Sequence, residues 1–99
     1  MTESTVSPEL LEFLKSIASE SRIRILLLFL DGQERTVNQI AAAAGLGQPT
    51  ASEHLAIMKR SGVLVSTKRG KEVFYQPDRD RVLRHLKTLR TVLENCCKL

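Results

Sequence analysis

Cysteine is nearly missing from this 99-residue sequence, and the two that occur, Cys96 and Cys97, are neighbours. Adjacent thiols cannot staple distant parts of one subunit, which excludes the disulfide framework of small secreted domains. Long hydrophobic runs are missing too. The longest, Ile25 to Leu30, is far too short to cross a bilayer and follows Arg22 and Arg24. The N-terminus lacks the charged, apolar and cleavable order of a signal peptide. These absences predict a cytoplasmic protein with reduced thiols and no membrane partner. Enzyme chemistry also lacks its parts. No nucleophile stands at recognisable spacing from a His and an orienting acid, and there is no Gly-rich phosphate loop and no CxxC pair.

What is present is ordinary globular material for one small domain, 42% hydrophobic and 26% charged. The net charge of +4 and pI of about 9.4 favour a polyanionic partner. A chain this short buries a modest fraction of its surface, so burial through oligomerisation would help it.

The pattern along the chain predicts four helices, a β-hairpin and a last helix. Residues 1–6 are polar and read as a flexible lead. Ser7 caps the first helix and Pro8 takes its first position, where a missing N–H costs nothing. Leu10, Leu11, Phe13, Leu14, Ile17 and Ala18 form its apolar face. A break near Ser19 to Ser21 leads to a second helix reaching about Asp31. Its Ile23 to Leu30 segment is apolar nearly all round and reads as the central buried helix.

Residues 36–62 read as two helices joined by a tight turn. Thr36 with Gln39 is a capping box, and Gly45 is placed as a left-handed stop. Gln48-Pro49 opens the next helix and Gly62 ends it. There Ala51, Leu55 and Met58 repeat at spacings of four and three and face inward. Residues 63–76 form the hairpin: Val63-Leu64-Val65 and Val73-Phe74-Tyr75 flank Lys68-Arg69-Gly70-Lys71. Asp78 caps a final helix over 78–97, in which Val82, Leu86, Leu89, Leu93 and Cys96 make a seam suited to a partner helix.

Helix, turn, helix and basic hairpin in this order is a winged helix-turn-helix, and few small modules other than DNA-binding domains carry it. The second helix of such a pair enters the major groove N-terminus first and needs short polar side chains there. Gln48, Thr50, Ser52, Glu53 and His54 supply them. Gln reads adenine bidentately, Ser and Thr adapt to several base edges, and Glu accepts from a cytosine amino group. Lys59 lies further along, while Lys68, Arg69 and Lys71 at the hairpin tip can reach backbone phosphates or the minor groove. From Pro49 to Tyr75 five cations stand against Glu53 and Glu72, so most of the net charge sits here. A winged helix that serves only as a protein-interaction module is the competing class. The basic tip and polar helix start speak against it, since such surfaces are more often aromatic or apolar.

Several stretches together resemble the ArsR/SmtB family of dimeric bacterial winged-helix repressors. They are Ser21 to Leu26, Ile40-Ala41 with Gly45-Leu46, Gln48 to Leu55, Lys59 to Leu64, and Arg69 to Tyr75. The resemblance implies a homodimer through the first and last helices. Leu10, Leu14 and Ile17 would meet Val82, Leu86, Leu89 and Leu93 there. It also implies binding to a near-palindromic double-stranded operator and release by an inducer.

The family's inducer sites transfer only in part. The Cys-x-Cys pair of its recognition-support helix is replaced by Thr36-Val37-Asn38-Gln39-Ile40. The Asp-x-His pattern of its last helix is Asp80-Arg81-Val82, with a lone His85 downstream. What remains is Cys96-Cys97, similar to the paired cysteines of arsenite-responsive members. Thiolates suit As(III), Sb(III) or another thiophilic ion. Adjacent side chains do not share a helix face, and His85 lies about 16 Å along the helix. A thiol switch by disulfide or persulfide, plain interface packing, and a formal C-terminal prenylation box at Cys96 to Leu99 are the other readings of the pair.

Overall fold

The computed structural model describes residues 7–97; residues 1–6, and the Lys98-Leu99 end of the prenylation box, lie outside it. Helix α1 (Pro8–Ile17) starts where its cap predicts, with the Leu10 N–H donating to Ser7 Oγ at 3.1 Å. Leu10 and Phe13 point into the core. Helix α2 (Glu20–Leu27) is capped by Ser19 and passes into a 3-10 turn over Leu28–Asp31, which Gly32 ends at φ 77°.

The expectation of a central buried helix fails here. Only Ile25 of α2 is buried, whereas Leu27 is 53% and Leu30 82% exposed. Ile23, Leu27 and Leu30 fall at i, i+4 and i+7, so they share one outward face. A run that is apolar all round hides which side meets the core.

A strand absent from the sequence reading comes next. Strand β1 (Arg35–Thr36) is two residues long, too short for any periodic signal. The Arg35 guanidinium grips Asp31 with two hydrogen bonds, of 2.6 and 3.0 Å. Together with the Gln33 N–H it holds the Asp31 carboxyl down at about 2.

Helix α3 (Val37–Ala44) has the predicted capping box in full, Gln39 N–H to Thr36 Oγ1 and Thr36 N–H to Gln39 Oε1. Helix α4 (Gln48–Arg60) stops two residues before Gly62. Both helices end alike. Leu46 N–H donates to Ala41 O and Val63 N–H to Met58 O, each across a glycine of positive φ. Gly62 has a second reason to lack a side chain, because the Arg81 side chain lies across the space a Cβ would fill.

Strands β2 (Leu64–Arg69) and β3 (Glu72–Pro77) form the hairpin, and β1 adds to the other side of β3, giving the antiparallel order β1-β3-β2. Helix α5 (Arg79–Cys96) is capped by Asp78, whose N–H donates to Val63 O at 2.9 Å. That bond ties the start of α5 to the junction of α4 and the hairpin. The architecture is the expected mainly helical winged helix-turn-helix, with one extra strand. Leu10, Phe13, Ile25, Phe29, Ile40, Leu55, Met58, Val63 and Leu64 make its core.

Candidate nucleic-acid interface

Ala51, Leu55 and Met58 are fully buried and pin one face of α4 to the core. The opposite face is thereby turned outward. Gln48, Thr50, Ser52 and Glu53 are exposed on its first turns, and Lys59 is exposed near its end. Gly47 caps α4 without a side-chain hydrogen bond, so no side chain competes for the N–H groups of the first turn. That end carries the positive pole of the helix and suits an anion.

His54 departs from this set. It is half-buried, and its Nδ1 lies 3.1 Å from the Arg22 guanidinium on α2.

At the hairpin tip Gly70 takes φ 63° in a two-residue loop, the position a type II′ turn gives to glycine. Lys68, Arg69 and Lys71 are all exposed there. Arg69 is not free, however: it pairs with Glu34 and stacks over Phe74, 4.4 Å from the ring centroid. Lys71 lines a groove of about 290 Å³ between the start of α3, α4 and the hairpin, together with Thr36, Asn38, Ser52, Glu72 and Tyr75. Thr36, Asn38 and Tyr75 were missed as candidate contacts. The only sequence signal was that Thr36 and Asn38 stand at a helix start, marked by the Thr36 capping box.

The residues expected at a dimer interface divide into three kinds. Leu10 is 1% exposed and belongs to the subunit core, which corrects its assignment to an interface. Its alternation with Phe13 along α1 serves the core, and periodicity does not tell one burial partner from another. Leu14, Ile17, Val82 and Leu89 are half-buried against that core. Leu86 and Leu93 stand open, at 44% and 52% exposure.

Both cysteines are free and exposed. Cys97, rather than Cys96, continues the seam. It lines a shallow apolar groove of about 420 Å³ with Leu86, Leu89 and Leu93, one residue past the last helical turn. Two thiols suit a thiophilic ion, but among the described residues no three His, Cys, Asp or Glu side chains stand close enough to share a metal. His85 stacks on Phe13 with ring centroids 4.8 Å apart, and its Nε2 is buried without a hydrogen-bond partner. Burial, then Arg81 and Arg84, lower its pKa, against a weaker pull from Glu9.

Residues 19–66 match the sequence model described as "Bacterial regulatory protein, arsR family". The arsenical resistance operon repressor of Escherichia coli K12 is 36% identical over 66 residues, 67% of this chain and 56% of that protein. The chain spans about half the length of the curated relatives it matches. Among solved structures, the transcriptional repressor PagR of Bacillus anthracis is 30% identical with a TM-score of 0.67, covering 82% of this chain and 92% of that one. A homodimeric winged helix-turn-helix DNA-binding domain, Mb0332 of Mycobacterium bovis, is 29% identical with a TM-score of 0.70, covering 87% of this chain and 79% of that one. The chain's helix-turn-helix segment, residues 19–66, is that of the ArsR family of bacterial regulatory proteins.

Proposed function

We propose that this chain is a dimeric, sequence-specific DNA-binding transcriptional repressor. Helix α4 enters the major groove and reads base edges with Gln48, Thr50, Ser52 and Glu53, while Lys68 and Lys71 on the wing hold backbone phosphates. Two copies bind a near-palindromic operator with recognition helices roughly 34 Å apart. The observation that carries this reading is the exposed polar face at the start of α4, flanked by the basic hairpin tip.

For the signal we propose thiol chemistry at Cys96 and Cys97: capture of As(III), Sb(III) or a similar ion, oxidation to a disulfide by a peroxide that takes the two electrons, or uptake of a sulfane sulfur from a persulfide donor whose own thiol leaves. Free, exposed thiols support this. So does the arsenical resistance named for the Escherichia coli relative.

A mobility-shift titration against genomic fragments at two salt concentrations tests the first part. A shift at low salt that weakens steeply as salt rises is expected. Absence of any shift at low salt would favour a protein-interaction module. Release by As(III), Sb(III), peroxide or persulfide, compared with the Cys96→Ser/Cys97→Ser double variant, tests the second. If the double variant is released like the parent, the thiols only pack.

A further inference from the structure

Arg22 joins three elements through two hydrogen bonds. From α2 its Nε donates to the backbone carbonyl of Ser16 at 2.6 Å, and Nη1 donates to His54 Nδ1 at 3.1 Å. Ser16 lies in the last turn of α1, where helix geometry leaves carbonyls without intrahelical donors. His54 sits in the middle of α4. A guanidinium only donates, so the imidazole accepts at Nδ1 and carries its proton on Nε2. The planar fork lets one side chain serve two acceptors in set directions, which an ammonium does less well.

The packing around this contact gives it a purpose. Ala51, Leu55 and Met58 fix which face of α4 is buried, but apolar contact has no direction and sets the fine roll about the helix axis less sharply than a hydrogen bond. A hydrogen bond is directional and resists that roll. Gln48, Thr50, Ser52 and Glu53 all lie within two turns of His54, so the angle at His54 sets where they point.

We propose that Arg22 is a positioning residue for the recognition helix, clamping His54, and with it α4, to the C-terminal end of α1. The proposal rests on the DNA-binding reading above. In it His54 is an anchor and not a base reader, and Arg22 acts without touching DNA.

The full chain provides the test. In the DNA-free protein, imidazole 15N shifts of His54 should report the Nε2–H tautomer with Nδ1 accepting; an Nδ1–H tautomer would overturn the clamp. Asparagine retains an acceptor at the Nδ1 position, so His54→Asn should bind operator within about twofold of the parent. His54→Ala and Arg22→Met should each weaken binding of the dimer about a hundredfold, a charged hydrogen bond's worth in each subunit, and the double variant should be no weaker than either single. The salt dependence of Arg22→Met should match the parent's, because no phosphate contact is lost.

An Asn variant as weak as the Ala variant, additive losses, or a salt slope reduced by about two, one contact from each subunit, would place these side chains on DNA and sink the proposal. Should Arg22→Met not fold, the His54 pair and the tautomer decide. If the parent binds no DNA, the proposed function fails, while the tautomer still decides whether Arg22 holds α4.

Discussion

His85 shows how one side chain can tie stability to pH. Its ring is stacked on Phe13 and its buried Nε2 has no partner, so charging it in the folded state is costly. Burial, with Arg81 and Arg84, holds its pKa below the ordinary 6.5. The folded protein therefore binds fewer protons there than the unfolded chain does. The His85 contribution to stability is complete above about pH 6.5 and falls away as the pH drops below it. Thermal melts between about pH 5 and 7 should show the loss. His85→Phe keeps the stack and removes the orphaned nitrogen, so it should flatten this acid limb and leave the midpoint at pH 7 equal or higher. An unchanged acid limb would assign the sensitivity to other groups. From the sequence His85 was legible only as a poor metal ligand; its stack on Phe13 joins positions far apart in the chain.

At the scale of elements, the wing carries its charges unequally. Lys68 and Lys71 are exposed, while Arg69 is held by Glu34 and Phe74. Replacing both lysines with alanine removes four phosphate contacts per dimer, so it should weaken binding to all DNA sequences alike and lower the salt slope by about four. Arg69→Ala should do less, since its charge is already partnered. Titrations of operator and unrelated duplex at several salt concentrations check this, and an unchanged slope would move the wing off the backbone. The hairpin was legible because β-branched and aromatic runs flank a glycine turn, and α3 because Thr36 and Gln39 cap it reciprocally. The strand at Arg35–Thr36 was not, since its two residues owe their conformation to pairing with Phe74 and Tyr75. The pairing of Arg69 escaped for the same reason: Glu34 is brought to it only by that sheet.

The whole molecule is extended, 51 × 24 × 23 Å, with a radius of gyration of 15.2 Å where a compact chain of about 100 residues has about 13 Å. Helix α5 has no fully buried residue in its 18 positions, although its seam is apolar. Such a helix is stable when a second surface covers that seam. Replacing Leu86 and Leu93 by glutamate should leave the subunit core intact, because neither belongs to it, and should shift the protein to monomer. Sedimentation of parent and variant checks this, together with loss of operator binding. A variant that stays dimeric would place the interface elsewhere, with the open face of Ile23, Leu27 and Leu30 the next surface to probe.

What the sequence determined by itself was local. Caps, glycine stops, the face of α4 that carries Ala51, Leu55 and Met58, and the basic hairpin all follow from neighbours a few residues apart, where spacing and propensity act directly. What only the tertiary structure decided was which of several apolar or charged faces meets which partner. Leu10 proved to be core, Leu27 and Leu30 proved to be surface, and Cys97 took the place expected of Cys96. His54, read as one polar residue among five, is joined to Arg22 across 32 positions of sequence. Composition holds no trace of such a bond, because it depends on how three helices close on one another.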